Sequence, residues 1–528
     1  MTATPDLDGP RDLHFVLDGA DVAVELDGPP QGESLLEVLR ERLGVRSAKD
    51  GCSPQGQCGC CTVWVDGQPR VACVTPAERV AGRSVTTVVG LDPAIARSWS
   101  EAMCARGASQ CGFCTPGIVM RLAALDGAKR SRPEAVRQAL LAHLCRCTGW
   151  QTIVEAAATI GGDGSTASGA AVRDGAAAGQ RAGLEGRGAQ RVDADAALGG
   201  GGFATDTVPS GALVAVCCDD GTWVVAGSAA QARRRSGKIQ GRRTTAPLRW
   251  PIDVPAGSWT RTLRTTWVEP AYLEPDAAWC EPGGEPSSAL ANGGAFGGKV
   301  SSEIGEVARR LADEHGRAVL ATYSREDVVR CGPKRPPMAI AVAADGTGIV
   351  RVVRTPGIAS VIGAIAPALT VEEVVLDGLP TSLDLRAAGW AEVAVVLSSL
   401  GAGPDVVRSP DGATATASIA VDGTVAVSVR CGRPLDATVL RSYCIGAAHM
   451  ALGWVRSEAI AVDDRGQPLD LTIRSFGIVR ATDMPHVEVT IVDDGGEPVN
   501  GSDAVFAAVA AAAWRQAGHP DRWPTARR

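Results

Sequence analysis

GCSPQGQCGCC, residues 51–61, is the stretch on which the reading turns, with eleven residues between it and Cys73. Five residues separate Cys52 from Cys58 and two separate Cys58 from Cys61. The ferredoxin spacing C-x4-C-x2-C with a distant fourth cysteine differs from this by one residue. A [2Fe–2S] centre suits such a trio, because the loop must wrap the cluster and turn N–H groups toward its sulfurs. Gly51, Gly56 and Gly59 allow that wrapping. Cys60 adjoins Cys61, so that Cys52 and Cys60 compete for one place in the set.

A second set follows in QCGFCTPG, residues 110–117, and HLCRCTG, residues 143–149. Its members are Cys111, Cys114, Cys145 and Cys147. Pro116 allows a helix to start just after Cys114, and Pro133 opens another that ends near Cys145. Two helix termini bringing two cysteines each would enclose a second cluster. Four thiolates can equally hold structural zinc, and disulfides are the remaining alternative.

The 528 residues are enough for three or four domains with substantial cores. A formal net charge of −7 gives no electrostatic case for nucleic acid or an anionic membrane surface, which leaves proteins and small molecules as partners. Only five of the 52 basic residues are lysine, a bias we read as coding preference. The polar N-terminus and the lack of a long apolar run predict a cytoplasmic protein without a membrane span. In that setting sixteen cysteines favour metal ligation over disulfides.

The pattern predicts an α+β chain. Residues 13–17 and 22–26 alternate around Asp18-Gly19 as a hairpin. Ser34 caps a helix whose apolar face is Leu35, Leu36, Val38, Leu39 and Leu43. Residues 62–65 and 70–73 form a second hairpin that puts Cys73 on a strand, and residues 84–91 supply a fifth strand. We expect a β-grasp ferredoxin-like domain over 1–82, a helical [2Fe–2S] domain over 83–160, a Gly/Ala-rich flexible linker over 161–190, and an α+β region over 191–528.

QCGFCTPG and LCRCTGW resemble signature strings of the xanthine dehydrogenase and aldehyde oxidase family of molybdenum hydroxylases. The resemblance implies that Cys52, Cys58, Cys61 and Cys73 hold one [2Fe–2S] cluster and Cys111, Cys114, Cys145 and Cys147 the other. Later strings are similar to the family's molybdopterin-binding part: Leu273-Glu274-Pro275, the glycine-rich run at 293–299, Ser324-Arg325-Glu326, and Leu385-Arg386-Ala387-Ala388-Gly389-Trp390. By that likeness Gln110, Gly294, Phe296, Gly297 and Gly298 would meet molybdopterin, in its plain or cytosine dinucleotide form, carrying molybdenum. Arg386 would orient substrate, and Glu497 of Gly495-Gly496-Glu497-Pro498 would be the catalytic base.

Each of these has a plainer reading. The glycine run is also a turn between strand and helix, and as a Walker A loop it fails because Val300 stands where Ser or Thr must meet magnesium. Arg386 also reads as an arginine on a solvated turn, and Glu497 as part of an acidic turn after Asp493-Asp494. The Arg386 loop lacks the cysteine of the carbon monoxide-oxidising relatives, which argues against that reaction. The region after 191 is also shorter than the family's, with no counterpart of its Gly-Gln-Gly loop.

The resemblance thus implies an oxidoreductase that oxidises an aldehyde or N-heterocycle with water as oxygen source and passes electrons through two clusters. No dinucleotide fingerprint appears, so a flavin would sit on a separate subunit, or another acceptor would serve. The alternative is a non-catalytic electron-transfer subunit whose shortened C-terminal region is a docking scaffold, with a zinc-stabilised interaction protein as a third reading.

Overall fold

The structure, a computed structural model, describes residues 11–26, 32–161, 174–188, 190–237, 241, 244–287, 294–401 and 406–526. Gly293, the first residue of the glycine-rich run, lies outside the described residues. Strands β1 (Arg11–Leu17), β2 (Ala20–Leu26), β3 (Thr62–Val65), β4 (Gln68–Val71) and β5 (Ser84–Thr86) form a mixed sheet in the order β2-β1-β5-β3-β4. The β1 and β5 strands run parallel and the other pairs antiparallel. Both hairpins turn on Asp-Gly pairs with positive φ, 50° and 87° at Asp18-Gly19 and 48° and 72° at Asp66-Gly67, as two-residue hairpins of this twist require. This is the expected ferredoxin-like sheet.

Ser34 caps the following helix through a capping box with Glu37, a device worth about 1 kcal/mol. Two details of the expected hairpins differ. Cys73 sits on a short 3-10 turn, Ala72–Val74, instead of on a strand, and β5 stops at Thr86 before a second such turn, Val88–Gly90. Helices Pro93–Arg106, Thr115–Ala123, Pro133–Ala139 and Gln151–Gly161 come next. Proline opens the first and third and stands second in Thr115–Ala123, where its missing N–H costs nothing.

Of the expected linker, residues 162–173 and 189 lie outside the described residues, and the described part is more ordered than its composition implied. Asp174 caps a helix, Gly175–Gly186, whose Arg181 and Glu185 side chains are fully buried against the C-terminal region. Arg181 donates to the carbonyls of Arg433, Pro434 and Val499 and to Glu185 Oε1. A glycine- and alanine-rich helix lacks an apolar stripe of its own, so its period was invisible, and a buried ion pair anchors it instead.

Among the described residues beyond 190 are three four-stranded sheets and two long helices, Ala437–Arg456 and Ser502–Gln516, that pack on each other. Trp454 stacks on Phe506 at 5.0 Å and meets Trp523 edge-on at 4.6 Å, which locks the helix pair. One hydrophobic core includes both Leu13 of β1 and Trp523, while the sheet of residues 213–217, 223–226, 277–280 and 319–322 packs on smaller clusters of its own. Among the described residues no helix is long and apolar enough to cross a membrane.

Candidate functional site

All five thiols of the first set are buried. The Cys52 sulfur accepts backbone N–H groups from Gln55 at 3.2 Å and Gln57 at 3.4 Å, and the Cys61 sulfur accepts that of Cys73 at 3.4 Å. Hydrogen bonds from the Cys58 and Cys73 side chains, joined by the Gln57 N–H, pull the Cys52 thiol well below its usual range. Donors aimed at sulfur are what a cluster loop must supply. Within the 52–58 segment Ser53 and Gly56 hold left-handed φ of 48° and 69°.

The far end of the chain clamps that longer loop. Gln55 Nε2 donates to Glu326 Oε1 at 2.7 Å and to the Leu471 carbonyl at 2.8 Å, while Gln57 Oε1 accepts the Arg474 N–H at 3.2 Å. Arg325, fully buried, donates to the carbonyls of Gly51, Tyr272 and Leu273. The Leu273-Glu274-Pro275 and Ser324-Arg325-Glu326 strings therefore brace the first cysteine loop.

In the second set Cys111 and Cys147 sulfurs lie 3.5 Å apart, and the Cys145 sulfur lies 3.1 Å from Thr148 Oγ1. Hydrogen bonding from Cys114, supported by Thr148, brings the Cys145 thiol down to about 6. Gly112 and Gly149 have left-handed φ of 80° and 60°, and a Cβ on either would stand 2.7 Å from a carbonyl oxygen, of Ala196 or Ile445. Gly446 touches the Cys147 carbonyl so closely that no side chain fits. Helix Ala437–Arg456 thus walls the second set. Among the described residues no three His, Cys, Asp or Glu side chains are gathered at the spacing of a single bound ion.

The two sets meet directly. His143 packs on Gly59 and reaches Thr62 Oγ1 at 3.2 Å, and the Leu144 N–H donates to the Cys58 carbonyl at 2.9 Å. Burial first, and the Arg121 charge second, push His143 down to about 3.

The residues expected around molybdopterin are brought together only in part. Gln110 Nε2 donates to the Cys147 carbonyl and to Ser442 Oγ, and its buried Oε1 has no partner. Gly294 lies against the Cys147 sulfur, where a Cβ would come to 2.9 Å. Arg386 is buried rather than on a solvated turn; its guanidinium lies 4.1 Å over the Phe296 ring and 3.5 Å from Asp503, and none of its three nitrogens makes a hydrogen bond. Phe296 and Ala387 both hold left-handed φ, 46° and 52°, a strain of about 1–2 kcal/mol each.

Other features disagree with a pterin site. The cavity that Gly294, Phe296 and Arg386 line with Arg146, Glu458 and Trp454 holds about 30 Å³. That is room for a water or two, against several hundred Å³ in ordinary ligand sites. Gly297 and Gly298 do not line it, and the Gly298 N–H is spent on the Ala295 carbonyl. Lys299 is buried against Glu274 at 2.6 Å, unavailable to a phosphate. A molybdopterin does not fit these residues as they stand.

Glu497 corrects the expectation of a base in an apolar pocket. Its side chain is 92% exposed, 3.9 Å from Arg433, at the end of a turn in which Asp493 and Asp494 accept the N–H groups of Gly495 and Gly496. That is the acidic-turn reading. The carboxylates on the Phe296 cavity are Glu269, paired with Lys334 at 3.0 Å, and Glu458, gripped by Arg146 through two bonds of 2.6 Å. Only tertiary packing pairs residues 312 positions apart, and no local signal announces it. A cavity of about 480 Å³ between Arg40, Arg46, Arg233, Pro209 and Glu274 contains none of the predicted residues.

A [2Fe-2S] binding domain family matches residues 87–158. The isoquinoline 1-oxidoreductase subunit alpha of Brevundimonas diminuta is 38% identical over 142 residues, 27% of this chain and 91% of that protein. The xanthine dehydrogenase iron-sulfur-binding subunit of Escherichia coli O157:H7 is 41% identical over 127 residues, 23% of this chain and 79% of that one. The aldehyde oxidoreductase of Desulfovibrio gigas superposes with a TM-score of 0.66 over 95% of this chain and 97% of its own. At 14% identity this last likeness concerns the fold alone.

Proposed function

The chain belongs to the xanthine dehydrogenase/aldehyde oxidoreductase family, and we propose that it serves there as an electron-transfer protein whose C-terminal region is a scaffold, not a reaction site. One observation carries the proposal. Eight buried thiols stand in two abutting sets with N–H donors on the first, while the cavity beside the second has space for about 30 Å³ only.

When bound, a [2Fe–2S] cluster on each set supplies one-electron transfer. Cys52, Cys58, Cys61 and Cys73 would hold the first, and Cys111, Cys114, Cys145 and Cys147 the second. The Gln55 and Gln57 N–H groups stabilise negative charge on the Cys52 sulfur and favour reduction there. Helix Ala437–Arg456 keeps water from the second set, which disfavours added charge and works in the opposite sense. The chain would exchange electrons with partner proteins, a flavin-bearing subunit among them.

A second reading, the molybdenum-dependent hydroxylase acting on a small molecule, draws on Arg386, whose buried guanidinium faces Phe296 with no hydrogen bond. Metal analysis of anaerobically purified full chain separates the two. About four irons per chain, two distinct EPR signals after dithionite and no molybdenum are the expected result. One molybdenum per chain with aldehyde or heterocycle oxidation would replace our proposal with the second reading, and zinc in place of iron would remove both.

A further inference from the structure

Five thiols meet in the first set, and the fifth has a place of its own. A Cβ at Gly51 would stand 3.1 Å from the Cys58 sulfur, 3.1 Å from the Cys60 sulfur and 3.1 Å from Cε1 of Phe113. Two sulfurs and an aromatic edge therefore surround one point. Phe113 lies between Cys111 and Cys114 in the chain, so this point is the seam between the two sets.

The backbone that carries the Cys60 thiol is wedged there. Its carbonyl accepts the Lys49 N–H at 3.3 Å, and Gly117 presses on it so tightly that a Cβ would come within 2.9 Å of both its Cα and its carbonyl carbon. The thiol donates to the Cys58 carbonyl at 3.9 Å, and its sulfur and that of Cys58 both face the point where a Gly51 Cβ would stand. Cys52, by contrast, receives the two backbone N–H groups of its own loop. Cys52 thus completes a set of four and Cys60 is left over, buried on the side toward Cys111 and Cys114.

We propose that Cys60 is a positioning residue for electron transfer: its S–H, which meets the Cys58 carbonyl here, turns to the adjacent Cys58 sulfur once that sulfur is a cluster ligand, makes the first centre easier to reduce, and fills the gap between the two sets. The inference rests on reading the first set as a [2Fe–2S] centre. A hydrogen bond to a ligand sulfur offsets the charge added on reduction and so raises the potential. Alanine at this position would remove the donor and leave the backbone wedge intact. Serine keeps a donor in the same place.

Potentiometric EPR titration of the full chain tests this, with the first centre identified as the signal lost in Cys52→Ser. In Cys60→Ala both signals and about four irons per chain are retained, the equilibrium constant for reducing the first centre falls about tenfold, roughly 59 mV for one electron, and the second centre does not move. Cys60→Ser lies between alanine and the parent. Loss of the first signal or of about two irons in Cys60→Ala would make Cys60 a ligand and overturn the proposal. An unmoved potential, or an equal shift of both centres, would overturn it too. A parent protein without two iron–sulfur signals would refute the underlying reading before any variant is compared.

Discussion

Cys52 and Glu497 were both assigned from motifs, and their surroundings separate them. The Cys52 sulfur is buried and collects two N–H groups, whereas the Glu497 carboxylate projects from a turn into solvent. Ligation needs only a few side chains that one loop can present, so its residues are visible as spacing. A general base needs an environment that raises its pKa, and that environment comes from distant segments. Cys52→Ser is expected to lower iron from about four to about two per chain. Glu497→Gln is expected to leave iron content, EPR signals and thermal midpoint in place, within about 0.5 kcal/mol of stability. A Glu497→Gln protein that binds molybdenum and has lost substrate oxidation would restore Glu497 as the base.

At the scale of elements, legibility followed locality. The Asp-Gly hairpins, the Ser34 cap and the proline-led helices rest on contacts a few residues long, and they stand close to where the sequence places them. Helix Gly175–Gly186 escaped, because its glycines and alanines carry no periodic stripe and its anchor is one ion pair tied to segments 252 to 318 positions away. Arg181 is fully buried, and Glu185 also accepts the N–H groups of Gly501 and Ser502 at the start of helix Ser502–Gln516. Arg181→Met would leave that carboxylate without its cation in the interior, at a cost of about 3–5 kcal/mol. Replacing both, with Glu185→Leu added, should recover part of the loss, since a buried pair contributes less than breaking it removes. Urea denaturation of the three proteins decides the matter. A single-variant loss below about 1 kcal/mol would mean that the helix is not held by this pair.

For the molecule as a whole the core shared by Leu13, Trp150, Ala448 and Trp523 has a consequence: a charge forced into that part of the C-terminal region should weaken the iron–sulfur half as well. His449 is the group to watch. It is fully buried on helix Ala437–Arg456, one turn from the Gly446 that presses on Cys147, with Nε2 at 2.9 Å from the Val479 carbonyl. Burial, and then the nearby Arg146 charge, bring it down to about 4 from the ordinary 6.5. The folded protein therefore binds fewer protons at this site than the unfolded chain, so stability is full above pH 6.5 and declines as pH falls toward 4. The expected slope is about 1.4 kcal/mol per pH unit from this residue. His449→Gln removes that slope while keeping a donor toward Val479. Thermal midpoints followed from pH 4.5 to 7, by helix ellipticity and by cluster absorbance together, should fall in parallel for the parent and flatten in parallel for the variant. If cluster absorbance survives to a higher temperature than the helix signal, the halves unfold separately. The C-terminal region would then be an attached body instead of the wall that keeps the second set of thiols dry.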